Sequence, residues 1–363
     1  MTNRIRATLV LLAAQFPATA AEPPPAGPPW FRQLADAQKT ALDRGAPIFI
    51  YFTKKSCPHC APVEKDTLPS QVLKPGYDKA VWLYSNRNFD GSPLDRAAQR
   101  LEERFGVSSY PHLLLINPET LDLIRELGRT PEVILKGIEG TKVAVTDAKA
   151  ATERLRKADE RLAKVEKAPA SAAQYLADED PMVRLAAVRV LGQKNPKAVV
   201  AKAADLLATP HDVFRYEVCD VLAKAGDVTA APALEDVASN PEKSHNPNVL
   251  RIRAIQALAR CGREESVPVV AEFAKAGDAN NGLTGVSVDT LAAIAARLSK
   301  AKAAVKEALV VSYPPAGGAP ADAQRRDALA RKVHAHLTAL TKRTIPFPTT
   351  YDDAARAKLL KSW

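Results

Sequence analysis

The amino-acid sequence predicts an α/β domain joined to an all-α domain of paired helices. Between residues 30 and 140, short β-rich apolar runs alternate with segments of helical periodicity. After residue 170 the strand-like runs stop, and similar helical segments recur around Arg184, Arg215 and Arg251, about 31 and 36 residues apart. A chain of 363 residues has room for two or three such domains. Its 46% hydrophobic and 25% charged residues are values of a folded chain rather than a disordered one. The net charge of +10 is spread over interleaved Lys, Arg, Asp and Glu. No basic run carries interspersed stacking aromatics, so no nucleic-acid partner is expected.

At the N-terminus, Arg4 and Arg6 precede the apolar stretch Ala7 to Phe16, and the small residues Ala18-Thr19-Ala20-Ala21 follow. That succession reads as a secretory signal peptide over residues 1–21. The apolar stretch is shorter than the roughly 20 residues a bilayer span needs. The expectation is an exported chain, periplasmic, in the cell envelope or secreted, beginning near Ala21 or Glu22 and without a membrane span. Residues 22–29 are a proline-rich spacer, expected to be extended and mobile.

Residues 30–140 form the α/β domain. Trp30 to Gly45 carries helical spacing, with Gly45 as its stop. Pro47 to Phe52 is a continuous apolar run, as in a strand buried on both faces. Cys57-Pro58-His59-Cys60 follows, then a helical segment through Leu68. Ala80 to Ser85 is a second buried strand and Leu94 to Phe105 a helix with a polar face. Leu113 to Ile116 and Leu121 to Leu127 make a hairpin about the turn Asn117-Pro118-Glu119-Thr120, and Thr130 to Gly137 closes the domain as a helix.

A strand, a Cys-x-x-Cys pair opening a helix, and a later apolar strand entered through Tyr110-Pro111 together resemble the thioredoxin superfamily. The resemblance covers about Trp30 to Gly140 and implies a cis bond before Pro111, with the Tyr110 backbone beside Cys57 for pairing with a substrate strand. The chain departs from the family at Tyr51. An acid commonly stands six residues before the first cysteine there, which leaves water, His59 or Glu64 for proton transfer.

Residues 141–169 are a charged helical connector, with Leu155, Leu162 and Val165 on one face. Over 170–311, the units beginning Asp180-Pro181, His211-Asp212 and Pro247-Asn248 each pair with a second helical run: Val199 to Leu207, Ala231 to Ala238 and Ser266 to Ala274. This pattern is similar to HEAT repeats. Val288 to Leu298 and Ala301 to Val311 supply a degenerate fourth pair. Residues 312–363 hold a Pro/Gly loop, a terminal helix over Ala323 to Leu340, and a tail ending in Trp363, either exposed or capping the solenoid. Val188, Cys219 and Ile255 occupy matching core positions.

The chemistry centres on Cys57 and Cys60. Two residues between sulfurs at a helix start allow a reversible Cys57–Cys60 disulfide, and the helix terminus favours the Cys57 thiolate. Cys57 is the expected nucleophile and Cys60 the resolving thiol, with Pro58, His59, Tyr110 and Pro111 as modulators. A lower-pKa thiolate makes such a disulfide more oxidising. Half a zinc site is the structural alternative, but no second Cys/His pair stands at ligand spacing. No cofactor or metal is expected. Cys219 and Cys261 read as buried small hydrophobes. The preferred function is an exported thiol–disulfide oxidoreductase acting on protein thiols, with a protein partner on the helical repeats. The other readings are an interaction scaffold with a structural or redox-sensing α/β domain, and copper handling through the thiols, His59 and His112.

Overall fold

A computed structural model describes residues 23–241, 244, 246–275, 282–316 and 322–363. The expected signal peptide, residues 1–21, lies outside the described residues.

The domain begins with a correction. Trp30–Phe31 is not the start of a helix but a short strand, β1, and the first helix, α1, spans Leu34–Arg44 with Gly45 as its left-handed C-cap. The Trp30 ring packs edge-on against Trp82 and beside Tyr51 and Tyr84, so aromatic burial overrides the helical spacing. The proline-rich spacer is docked as well. Pro28 is buried, the Trp30 indole N–H donates to Pro25 O at 3.0 Å, and Gly27 lies against the Leu68 carbonyl.

Strands β2 (Ile48–Lys54), β3 (Val81–Arg87), β4 (His112–Ile116) and β5 (Leu123–Glu126) complete a mixed sheet in the order β1-β3-β2-β4-β5. β2 runs parallel to β3 and antiparallel to β4. Its alternation serves two cores. Phe49 and Tyr51 join Trp82, Leu113 and Ile134 on one face; Ile48, Ile50 and Phe52 join Ala41, Leu83 and Leu101 on the other. Helix α2 (Pro93–Phe105) lies on the second face, and α3 (Pro131–Glu139) on the first. The polar face expected for α2 is partly interior, because Asp95, Glu102 and Glu103 are buried.

Helix α4 (Ala148–Lys167) occupies the expected connector. Its Ala158 and Val165 lie inside the core of the repeats, so it is the first helix of the solenoid rather than a free link. Beyond it, α5 (Pro181–Lys194), α8 (Asp212–Ala225), α10 (Pro247–Cys261), α12 (Leu283–Arg297) and α14 (Ala323–Thr341) pack side by side as one layer. The second layer holds α7 (Ala203–Leu207), α9 (Ala231–Ser239), α11 (Ser266–Lys275) and α13 (Lys302–Val311). The single helix expected over Val199 to Leu207 is broken into α6 (Pro196–Val200) and α7. Val188, Cys219 and Ile255 are fully buried, as their matching positions require. The recurring arginines hold turns: Arg184 donates to Asp178 O at 2.7 Å and Arg251 to Ala238 O at 3.1 Å. The tail is structured. It carries α15 (Asp353–Ser362), and Trp363 is buried at the end of the solenoid.

The two domains meet where α4 packs on α1, with Arg154 donating to Glu119 O at 2.8 Å, and along the last turn of α2. Glu103 accepts from Arg189 of α5 at 3.0 Å, and Arg104 pairs with Asp180, the N-cap of α5, at 2.7 Å. His211, the N-cap of α8, reaches Arg104 O at 2.9 Å.

Candidate thiol–disulfide site

Strand β2 delivers the chain to the carboxyl edge of the sheet, where Cys57 opens a helical turn. The Cys57 carbonyl accepts from Cys60 N at 3.1 Å and Ala61 N at 3.3 Å, and Pro58 takes the first helical position, where a missing N–H costs nothing. Pro62 then removes a donor from the helical ladder, and the next turn, Val63–Thr67, closes as a π-helix through Leu68 N to Val63 O at 2.9 Å. Cys57 and Cys60 form a disulfide with Cα atoms 5.2 Å apart. Cys57 is 7% exposed and Cys60 1%, so an incoming group meets Cys57 first. His59 is exposed between them.

The π turn places Glu64 behind the cysteines. Glu64 Oε1 accepts from Thr53 Oγ1 at 2.8 Å and from Tyr51 Oη at 3.1 Å, and the Tyr51 oxygen lies 3.4 Å from the Cys60 carbonyl. Burial, then the Glu64 carboxylate, pushes the Tyr51 phenol well above its ordinary value, so it stays a donor. A cleft of about 330 Å³ lined by Cys57, Cys60, Glu64, Thr53 and Asn86 opens this pair to solvent. The carboxylate missing at Tyr51 is thus present on the facing turn.

On the other side of β2, the Tyr110–Pro111 bond is cis, as the resemblance implied. Arg129 reaches Pro111 O at 3.5 Å, and the Lys54 ammonium sits over the Tyr110 ring. Tyr110 Oη donates to Glu102 Oε1 at 2.5 Å, and Glu102 Oε2 accepts from Arg87 at 2.7 Å. Burial raises Glu102 above the usual carboxylate range, outweighing Tyr110 and Arg87. Arg87 also binds Asp95 at 3.0 Å. Against the opposing effect of burial, Arg87 and backbone N–H groups hold the Asp95 carboxyl below its ordinary range.

Of the expected residues, Cys57, Pro58, His59 and Cys60 gather on one turn and Tyr110-Pro111 on the neighbouring strand edge. His112 faces Glu126 at 3.4 Å. Among the described residues, no group of three or more His, Cys, Asp or Glu side chains is arranged to hold a metal ion. Cys219 and Cys261 lie in the repeat core, where burial raises their thiols to about 12 and about 11. Sequence reasoning missed Thr53, Arg87, Asp95 and Glu102. Only Asp95 left a signal, in the capping pattern Ser92-Pro-Leu-Asp95, whose Ser92 side chain accepts from Asp95 N at 3.1 Å.

Compared with known families, residues 34–138 match the thioredoxin-like domain and residues 169–245 match HEAT repeats. No curated protein and no solved structure matches the chain. No helix among the described residues is long and apolar enough to cross a membrane.

Proposed function

We propose that this fusion of a thioredoxin-like domain with HEAT repeats is an exported thiol–disulfide oxidoreductase whose substrates are proteins. The observation that carries the reading is the Cys57–Cys60 disulfide at a helix start, with Cys57 the more exposed sulfur and the cis Tyr110–Pro111 edge beside its strand. In the reducing direction, the Cys57 thiolate attacks a partner disulfide, forming a mixed disulfide and expelling one partner thiolate. The Cys60 thiolate then attacks the Cys57 sulfur, releasing the second partner thiolate and closing Cys57–Cys60. Two electrons pass to the partner, and two protons complete its thiols. The oxidising direction is the exact reverse. We assign the proton of Cys60 to Glu64, which is fixed by Tyr51 and Thr53 and lines the same cleft as both cysteines. The HEAT repeats supply a surface for a protein partner. Export rests on the Arg4, Arg6 and Ala-rich succession at residues 1–21.

Trapping tests the reading. Cys60→Ser should accumulate mixed disulfides with proteins from an envelope extract, and Cys57→Ser should accumulate none. In the reduced protein, Cys57 should be alkylated faster than Cys60. Two equally slow thiols and no trapped protein would leave the disulfide structural and pass the function to the repeats as a scaffold.

A further inference from the structure

Phe89 is 63% exposed, the most exposed of the large hydrophobic side chains among the described residues. Its backbone stands at φ 57, a region that bulky residues with a Cβ avoid. The fold nevertheless holds it there firmly. Asp95, buried at the start of α2, accepts from the backbone N–H groups of Asn88 at 3.0 Å, Phe89 at 3.0 Å and Gly91 at 3.2 Å. The Arg87 guanidinium, fixed between Asp95 and Glu102, lies under the Phe89 ring at 4.7 Å. A fixed, exposed ring on strained backbone costs stability, and such positions cluster at functional sites.

Its position says which function. β2 and β3 are adjacent parallel strands, Lys54 is level with Arg87, and Lys55 N donates to Arg87 O at 2.9 Å. Cys57 lies two residues beyond Lys55, and Phe89 two residues beyond Arg87, so both leave the sheet at the same edge. Groups bound by parallel strands sit outside that carboxyl edge. Arg87 also continues through Glu102 to Tyr110, so one part-buried chain of contacts links the ring to the cis-proline edge.

We propose that Phe89 is the apolar anchor of the substrate track. The track takes an extended polypeptide that carries an apolar side chain a few residues from its reacting cysteine. Its backbone lies along Tyr110–Pro111, and its apolar side chain covers the Phe89 ring. This inference rests on the oxidoreductase reading above and adds its substrate class.

The test uses the reduced full-length protein, Phe89→Ser and Phe89→Gly. Two substrates are compared: hydroxyethyl disulfide, which carries no apolar side chain, and a disulfide-linked extended peptide with leucine three residues from its cysteine. Both variants should lose about tenfold in kcat/KM on the peptide, through KM, while hydroxyethyl disulfide turnover stays unchanged. A peptide with serine in place of that leucine should show no difference between wild type and variants. Phe89→Gly, which relieves the positive φ, should melt above wild type while losing peptide turnover. Unchanged peptide kinetics, or equal losses on both disulfides, would overturn the anchor. A wild-type protein that reduces neither substrate would instead overturn the oxidoreductase reading, and the anchor with it.

Discussion

The phenol of Tyr51, buried on β2, and the carboxylate of Glu64, on the π turn that lines the thiol cleft, meet at 3.1 Å. Thr53 fixes the same oxygen at 2.8 Å. A carboxylate from the facing turn thus lies against a strand position that carries none, and Tyr51 and Thr53 fix its orientation.

Glu64→Gln keeps the shape and the two hydrogen-bond partners but removes proton uptake. Decay of a preformed Cys57 mixed disulfide should slow at least about tenfold at neutral pH, within the range of general-base effects. The deficit should shrink as pH rises and Cys60 ionises unaided. Tyr51→Phe should produce a smaller slowing, since Thr53 still holds the carboxylate. Stopped-flow measurement of mixed-disulfide decay against pH checks both, and a pH-independent deficit in Glu64→Gln would point to packing instead.

The second prediction concerns His211 at the domain boundary. Its Nδ1 accepts from Phe214 N at 3.1 Å, which places the proton on Nε2, facing Arg104 O at 2.9 Å. Burial lowers its pKa first, and the Arg184 charge also lowers it, against the backbone carbonyl of Arg104 and the Asp212 carboxylate, which raise it. A histidine lowered in the folded state costs nothing above its unfolded value of about 6.5. As pH falls through that value the unfolded chain takes up a proton that the folded one refuses, and stability drops until the folded pKa is reached. The slope contributed is at most about 1.4 kcal/mol per pH unit. Urea unfolding between pH 7 and pH 4 should show this slope in wild type and a shallower one in His211→Gln.

Much of this architecture is legible in the sequence because it follows from local pattern. Ile48 to Phe52 had to be a strand with two covered faces, and both faces are core. The matched positions Val188, Cys219 and Ile255 announced the repeats because a helix shows its core face at fixed intervals. What was not legible depended on contacts distant in sequence. Trp30 and Phe31 leave the helical pattern because Trp82 and Leu83 pair with them. Glu102 reads as one more charge on a solvated face until the fold brings Arg87 and Tyr110 to it. Glu64 could be named from the motif's surroundings, but its hold on Tyr51 and Thr53 depends on the π turn that follows Pro62.

A third prediction tests the far end of the solenoid. Trp363 Nε1 donates to Tyr313 Oη at 3.0 Å, the Tyr313 hydroxyl meets His334 Nδ1 at 2.9 Å, and His334 Nε2 meets Ile345 O at 2.7 Å. Because Trp363 is nearly buried, Trp363→Ala removes a large apolar contact and strips one partner from a buried hydroxyl. The expected cost is about 3–5 kcal/mol. Differential scanning calorimetry should find it in the repeat domain, with thiol exchange at Cys57 unaffected.

The last prediction concerns where the chain divides. The sequence makes residues 141–169 a charged helical connector, but Val165 is fully buried and Ala158 nearly so, both in the core that holds Val183, Leu185 and Leu191. Arg161 adds ion pairs to Asp178 at 2.9 Å and Glu179 at 3.2 Å, just ahead of α5. A fragment starting at residue 170 would open that core along one side of α5, whereas one starting at residue 148 keeps it closed. The longer fragment also uncovers the face of α4 that packs on α1, so any stability it keeps over the shorter one is a lower bound on what α4 contributes. Residues 148–363 should unfold cooperatively with an almost wholly helical circular dichroism spectrum. Residues 170–363 should melt at least about 5 °C lower or aggregate, as the loss of two or three buried apolar side chains from a domain of this size implies. Equal melting temperatures would return α4 to the role of a linker.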